Sequence, residues 1–246
     1  MATHTVNADA AGGYDDAYFI NMTTDITDCR NATSSTSRNS TSNTYHFCMV
    51  GKAFTNSAVG RVTLAFDINA AVSGGNIPSG ATIDSIELQI NLFSDVTGFI
   101  NTVNWGNTHG AKYDLSAGNF TSNAGFSRFV GRTSTGSYSG NVTEYFSAFS
   151  NSAGSKAIAL NATAISDAQT IVNADGSADP EVLAITLINS ADFADSGYPT
   201  FSGMIDYRGC FVATMENSTS ANRPKIEITY TEGGVTHNAI IFGTNF

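Results

Sequence analysis

The chain has 246 residues, 41% of them hydrophobic and only 13% charged, with a formal net charge of -10. That length suits one large β domain or two small ones, and the acidic balance repels nucleic acid and excludes it as a partner. No run of about 18 apolar residues exists to span a bilayer, and the opening MATHTVNADAAGG lacks the basic and then apolar regions of a secretory signal, so the expectation is a soluble protein made in a cytoplasm, with no membrane partner.

With few charges, the polar surface has to come from Ser, Thr, Asn and Gly, a composition that favours strands and turns. Residues 1–44 read as an irregular N-terminal segment with one edge strand at Ala17 to Asn21 and a polar low-complexity loop, RNATSSTSRNSTSNT. From Tyr45 the pattern changes. In GRVTLAFDI, Val62, Leu64, Phe66 and Ile68 face one way while Arg61, Thr63, Ala65 and Asp67 face the other, which predicts a half-buried strand. Gly74, Gly75, Pro78 and Gly80 then turn the chain into a second alternating strand, with Ile86, Leu88, Ile90 and Leu92 on one face and Ser85, Glu87, Gln89 and Asn91 on the other.

The stretch 98–140 reads as irregular. In NVTEYFSAFS, Val142, Tyr145, Phe146 and Phe149 fall at i, i+3, i+4 and i+7, and Asn141 with Glu144 resembles a capping box, which predicts the chain's one short helix. KAIALNAT, EVLAITLIN and PKIEITYTE follow as short strands bounded by turn residues. Together these elements predict an all-β fold, an antiparallel β-sandwich of jelly-roll-like form over residues 45–232 with one short helix. Beyond it, residues 233–246 form a C-terminal apolar arm whose Ile240, Ile241, Phe242 and Phe246 are too apolar for a solvated tail. Such an arm either docks on a neighbouring subunit or folds back on its own sandwich.

Chemistry is sparse. His4, His46, His109 and His237 are scattered, with no nucleophile and base set beside them, and the adjacent Asp15 and Asp16 would point to opposite faces of a strand. The expectation is therefore a protein that is not an enzyme. In NADGSAD, Asn173, Asp175, Ser177 and Asp179 alternate around Gly176, a loop suited either to calcium as a structural cofactor or simply to solvent before the next strand. Trp105 and Tyr138, with Tyr113, Tyr198 and Tyr207, lie in or near loops, where flat rings either stack on sugars or, for Trp105, plug the end of the core. Cys29, Cys48 and Cys210 lack metal-type spacing; either all three are reduced and structural, or Cys29 and Cys48 are bonded across the polar loop.

The order VGKAF, GRVTLAFDI, IPSGATIDSIELQI, NVTEYFSAF, AIAL and NRPKIEITYTE resembles the DNRLRE-type β-sandwich, a family akin to carbohydrate-binding modules. The resemblance covers roughly residues 45 to 232 and implies structural roles for Arg61, Phe66 and Asp67, with Arg61 an ionic or hydrogen-bonding anchor, while Arg223 and Pro224 mark the entry to the last strand. Such sandwiches without a secretory signal resemble virion structural proteins of bacteriophages. The implied function is a non-enzymatic structural protein on the virion exterior, made in the host cytoplasm. Capsid decoration is the first expectation and a tail or fibre component the second, with other virion proteins and further copies of the chain as partners. The alternative is a carbohydrate-binding, host-adhesive module directed at a surface glycan.

Overall fold

The computed structural model describes residues 1–8, 16–39, 45–93, 103–117, 120, 122–175, 177, 182–201 and 205–233. Its strands in chain order are β1 (Ala2–Asn7), β2 (Ala17–Thr23), β3 (Ser37–Asn39), β4 (Tyr45–Ala53), β5 (Asn56–Asp67), β6 (Thr82–Phe93), β7 (Val103–Asn104), β8 (Asn107–Lys112), β9 (Glu144–Ser150), β10 (Gly154–Ala159), β11 (Val182–Asn189), β12 (Ile205–Ala213) and β13 (Lys225–Thr231). The helices are α1 (Ile26–Asn31), α2 (Ile68–Ser73), α3 (Ala162–Asn173) and α4 (Ser190–Ala194). The fold is an all-β antiparallel sandwich; the one parallel pairing among the described strands is the short contact of β7 with β12.

All thirteen strands belong to one hydrogen-bonded sheet that folds over on itself. One half runs β10-β6-β13-β1 and the other runs β12-β4-β5-β11-β8-β9, with β2 on the free edge of β5 and β3 outside β2. The seam between them is narrow, since β12 reaches β6 only at Phe211 opposite Phe93 and Val212 opposite Leu92. Facing surfaces meet in one large core that joins Ile86, Leu88 and Ile90 of the first half to Leu64, Phe66, Ile185 and Leu187 of the second. Alternation along β6 produces this directly: Ile86, Leu88, Ile90 and Leu92 are buried, while Ser85, Glu87, Gln89 and Asn91 are wholly or partly exposed on the other face.

β5 departs from its half-buried expectation. Arg61, Thr63 and Ala65 are as buried as Val62, Leu64 and Phe66, because a third layer covers the sheet's outer side. That layer draws on α1, α4 and residues 113–117, 120 and 122–143, and it encloses a second core of Phe19, Val59, Ala65, Tyr113, Phe120 and Phe126. Leu115–Ala117 and Asn123–Ser127 pass through it as short 3-10 turns.

The helix expected at residues 141–150 is instead β9, paired with β8. The register shifts twice along this pair, between Thr108 and Gly110 and between Gly110 and Ala111. Such bulges place consecutive residues on one side, so Tyr145, Phe146 and Phe149 mimic a helical spacing. Phe146 lies across Gly110, where any Cβ would stand only 2.0 Å from its ring. The longest helix is α3, begun by Asn161, whose side chain accepts from the amides of Thr163 and Ala164. It buries Ala164, Ala168, Ile171 and Val172.

The described residues of the N-terminal segment, 1–8 and 16–39, are also more integrated than expected. β1 pairs with β13 from Ala2 opposite Tyr230 to Asn7 opposite Lys225, and β2 pairs with β5 along seven positions. The bridge between Ala8 and Phe66 carries the chain from one half of the sandwich to the other.

Candidate functional site

Three features could carry function: a buried ionic cluster, a cleft beside α3, and a groove on the wet face of β6. The cluster is built on Arg61, in the middle of β5 rather than at its start. Its Nε donates to Asp192 Oδ2 at 2.7 Å and its Nη2 to Asp192 Oδ1 at 2.8 Å, a bidentate pair, while Nη1 donates to the Phe126 carbonyl at 2.8 Å. Nη2 also reaches the Tyr138 hydroxyl at 3.0 Å. Burial works against the guanidinium charge, yet the attraction of Asp192 and Tyr138 carries the Arg61 pKa above the ordinary arginine value.

Arg30 completes the cluster. Its Nε donates to the Asp192 carbonyl at 2.8 Å, its Nη2 donates to the Gly136 carbonyl, and its guanidinium lies 3.9 Å from the centre of the Tyr138 ring. Arg30, Arg61 and Asp192 are all fully buried. This cluster is a clamp that ties α1, α4 and the loop around Tyr138 to β5, and it offers no surface to a ligand. Tyr138 is thereby removed from the expected sugar platform, because its ring is 0% exposed and packed between the arginines, Phe129 and Phe193.

Trp105 is partly buried against the second core. Its backbone amide donates to the Gly209 carbonyl at 3.1 Å and its carbonyl accepts from Asn151 at 2.8 Å. Tyr113 and Tyr207 are buried as well, so these aromatics pack within the fold instead of lining a common platform.

The cleft of 240 Å³ beside α3 is lined by Lys112, Tyr113, Tyr145, Asp167, Ile171 and Leu183 among others. Asp167 Oδ2 accepts from the Tyr145 hydroxyl and from Lys112 Nζ, each at 2.8 Å. Burial and then Asp167 push the Tyr145 phenol far above its ordinary pKa, so it stays protonated. The trio locks α3 against β8 and β9, and its charges are already satisfied by one another.

The groove differs in that its cations have no carboxylate partner among the described residues. It measures 240 Å³, crosses the outer face where β10, β6 and the start of β13 meet, and is lined by Gln89, Asn91, Ser155, Lys156, Arg223 and Lys225, with small alanines in its floor and wall. Arg223 and Lys225 bring two of the chain's eleven Lys and Arg residues here, while Lys156 lines the groove from a position opposite Ile90, whose side chain leaves the sheet on the other face. Among the described residues none of the three is in an ion pair. Their positions are held: Arg223 Nε donates to the Asn217 carbonyl at 2.9 Å, and Lys156 Nζ to Ser152 Oγ at 2.7 Å. Asn91 donates to Asn222 Oδ1 at 2.6 Å.

No protein-family model matches the chain, and no curated protein is found to match it.

The expected calcium loop is only partly described. Asn173 is the last residue of α3 and its Oδ1 accepts from Gln169 at 2.9 Å, while Ser177 Oγ donates to the Ala174 carbonyl at 2.5 Å. Asp175 is exposed with φ of 51°, and Asp179 lies outside the described residues. Two of the four expected ligands are thus engaged locally, Asn173 by the Gln169 side chain and Ser177 by the Ala174 carbonyl, because α3 runs to Asn173 where a loop was expected. Among the described residues no three His, Cys, Asp or Glu side chains cluster as a metal site would require. Ile240, Ile241, Phe242 and Phe246 of the expected assembly arm also lie outside the described residues.

All three cysteines are free and buried. A bond between Cys29 and Cys48 is ruled out in this arrangement: the Cys29 thiol donates to the Ser57 carbonyl at 3.1 Å in the outer layer, and Cys48 faces Cys210 across β4 and β12. No helix among the described residues is long and apolar enough to cross a membrane.

Proposed function

We propose that this chain is a non-enzymatic structural protein on the exterior of a bacteriophage virion, decorating the capsid or, failing that, forming part of a tail or fibre. The observation that carries this reading is where the chain leaves the sandwich. Ala2 lies opposite Tyr230, so β13 ends beside the outermost strand of its half-sheet, and the apolar sequence AIIF follows a few residues later. An arm departing from such an edge can engage a neighbouring virion protein or another copy while the sandwich stays closed. The resemblance in motif order to DNRLRE-type sandwiches supports the same reading. The acidic balance disfavours nucleic acid, and stability drawn from core burial and the buried clamp calls for no cofactor.

Light scattering on the full chain and on a chain ending at Glu232 tests this. An oligomer that becomes monomeric on truncation supports an assembly arm. Monomers in both samples, with no binding of either to phage particles, would overturn it.

A second reading, a host-adhesive carbohydrate-binding module, draws on the groove at Gln89, Asn91, Arg223 and Lys225. Its cations favour a saccharide bearing anionic groups. Affinity electrophoresis in anionic and neutral polysaccharide gels tests it with Arg223→Gln and Lys225→Gln; retardation lost in both variants supports a glycan site, and no retardation of the parent chain rejects it.

A further inference from the structure

We propose that Cys48 and Cys210 are an oxidisable pair that closes into a cross-strand disulfide between β4 and β12. The two residues stand directly opposite each other in a nine-position antiparallel ladder. In such a ladder opposed side chains leave the sheet on the same face, with Cα atoms about 4.5 or 5.5 Å apart depending on the pair type, and both spacings fall within the range that a disulfide spans. The register therefore meets the backbone requirement without moving either strand.

The side chains meet it too. Thr108 Oγ1 lies 3.7 Å from Cys48 Sγ and 3.8 Å from Cys210 Sγ, so both sulfurs turn toward one point. Thr108 is itself held by Asn151 Oδ1 at 2.7 Å. The neighbouring pair, Phe47 opposite Phe211, packs ring to ring at 4.4 Å and fixes the register on the adjacent position.

The reaction requires an oxidant, and a small-molecule disulfide such as oxidised glutathione supplies it. One cysteine loses its proton, its thiolate attacks a sulfur of the oxidant, and one small thiol leaves. The second cysteine, deprotonated in turn, attacks the protein sulfur of this mixed disulfide and expels the other small thiol. Two protein thiols are oxidised to one disulfide while one small disulfide is reduced to two thiols. Burial, followed by the influence of Cys210, pushes the Cys48 thiol well above its ordinary pKa, so reaction in the folded state proceeds through local opening. Cys29 serves as the internal control, because its sulfur is engaged by Ser57 and Thr23 on another part of the fold.

The bond would reinforce a long ladder that borders the narrow seam without crossing the seam itself. β12 holds β4 along nine positions yet reaches β6 at only two, so a covalent tie from β12 to β4 secures the strand that borders the seam. The loop it closes contains most of the chain, which gives a large effect on the unfolded state.

The test is refolding of the full chain in a glutathione redox buffer, alongside exposure of the folded protein to oxidised glutathione. Thiols titrated after denaturation should fall from three to one, with a loss of about two mass units and a Cys48–Cys210 cross-linked peptide under non-reducing digestion. The midpoint of thermal unfolding should rise by on the order of 10 °C and return on reduction. Cys29→Ser should leave the bond intact, while Cys48→Ser and Cys210→Ser should each abolish it. A cross-link involving Cys29, stable mixed disulfides alone, or three remaining thiols in both arms would overturn the proposal; the refolding arm ensures that slow access to the folded core does not decide the result.

Discussion

All three guanidinium nitrogens of Arg61 find acceptors in a site from which water is excluded, and Asp192 balances its charge. Removing one member of such a pair strands the other charge without solvent, which costs about 3–5 kcal/mol, whereas replacing both with apolar groups costs far less. Asp192→Ala should therefore destabilise the fold by about that amount in urea titration, and Arg61→Met with Asp192→Leu should lose clearly less than the two single changes combined. An additive result would mean that the clamp is not energetically coupled. An anchoring role for Arg61 was an expectation, but its partners could not be read from the sequence: Asp192 is 131 positions away and no local pattern connects them.

His46 gives the residue scale a pH signature. It is fully buried, stacked near Tyr18, and its Nε2 stands 3.8 Å from Asp16 Oδ1. Burial lowers its pKa to about 4, below the unfolded value of 6.5. The unfolded chain thus takes up the proton first, so this contribution to stability is complete above pH 6.5 and is lost as pH falls toward 4. Between pH 7 and pH 5 the loss should be about 2 kcal/mol. His46→Phe should flatten that slope in paired denaturation curves, and an unchanged slope would assign the acid sensitivity to other groups.

At the scale of elements, β6 and β5 show what a sequence pattern can and cannot disclose. β6 has one wet face, so its alternation of apolar and polar residues is visible and its register is strongly specified. Leu88→Asp would place a carboxylate where Leu88 is 0% exposed, and it should abolish cooperative unfolding; a soluble, cooperative variant would refute the inward assignment of that face. β5 carries the same alternation, but its polar-looking face lies under a third layer that is distant in sequence. β9 misleads for a different reason, since its bulges against β8 turn a strand into a false helical period. α3, in contrast, was legible in principle: Asn161 caps it, and Ala164, Ala168, Ile171 and Val172 follow at i, i+4, i+7 and i+8. The groove was legible only in part, because the wet positions Gln89 and Asn91 can be read from alternation while Arg223 and Lys225 join them solely through the pairing of β13 with β6.

At the scale of the whole molecule, the three layers predict an order of opening. β5 has nine consecutive buried residues, from Ala58 to Phe66, and β11 is buried along its full length, since each lies between the inner core and the clamped outer layer. β1 alternates between partial and full exposure until Val6 and ends its half of the sandwich. Local opening of β1 uncovers little apolar surface, whereas freeing β5 requires both cores and the Arg61 clamp to come apart. Native-state hydrogen exchange should accordingly place the amides of β5 and β11 at the free energy of global unfolding and those of β1 well below it. Asp192→Ala should lower protection in α1 and α4 more than in β6 and β13, because the clamp joins the outer layer to the sheet and does not touch the opposite half. Equal loss of protection across both halves would mean that the molecule opens only as a unit, with the outer layer inseparable from the sandwich it covers.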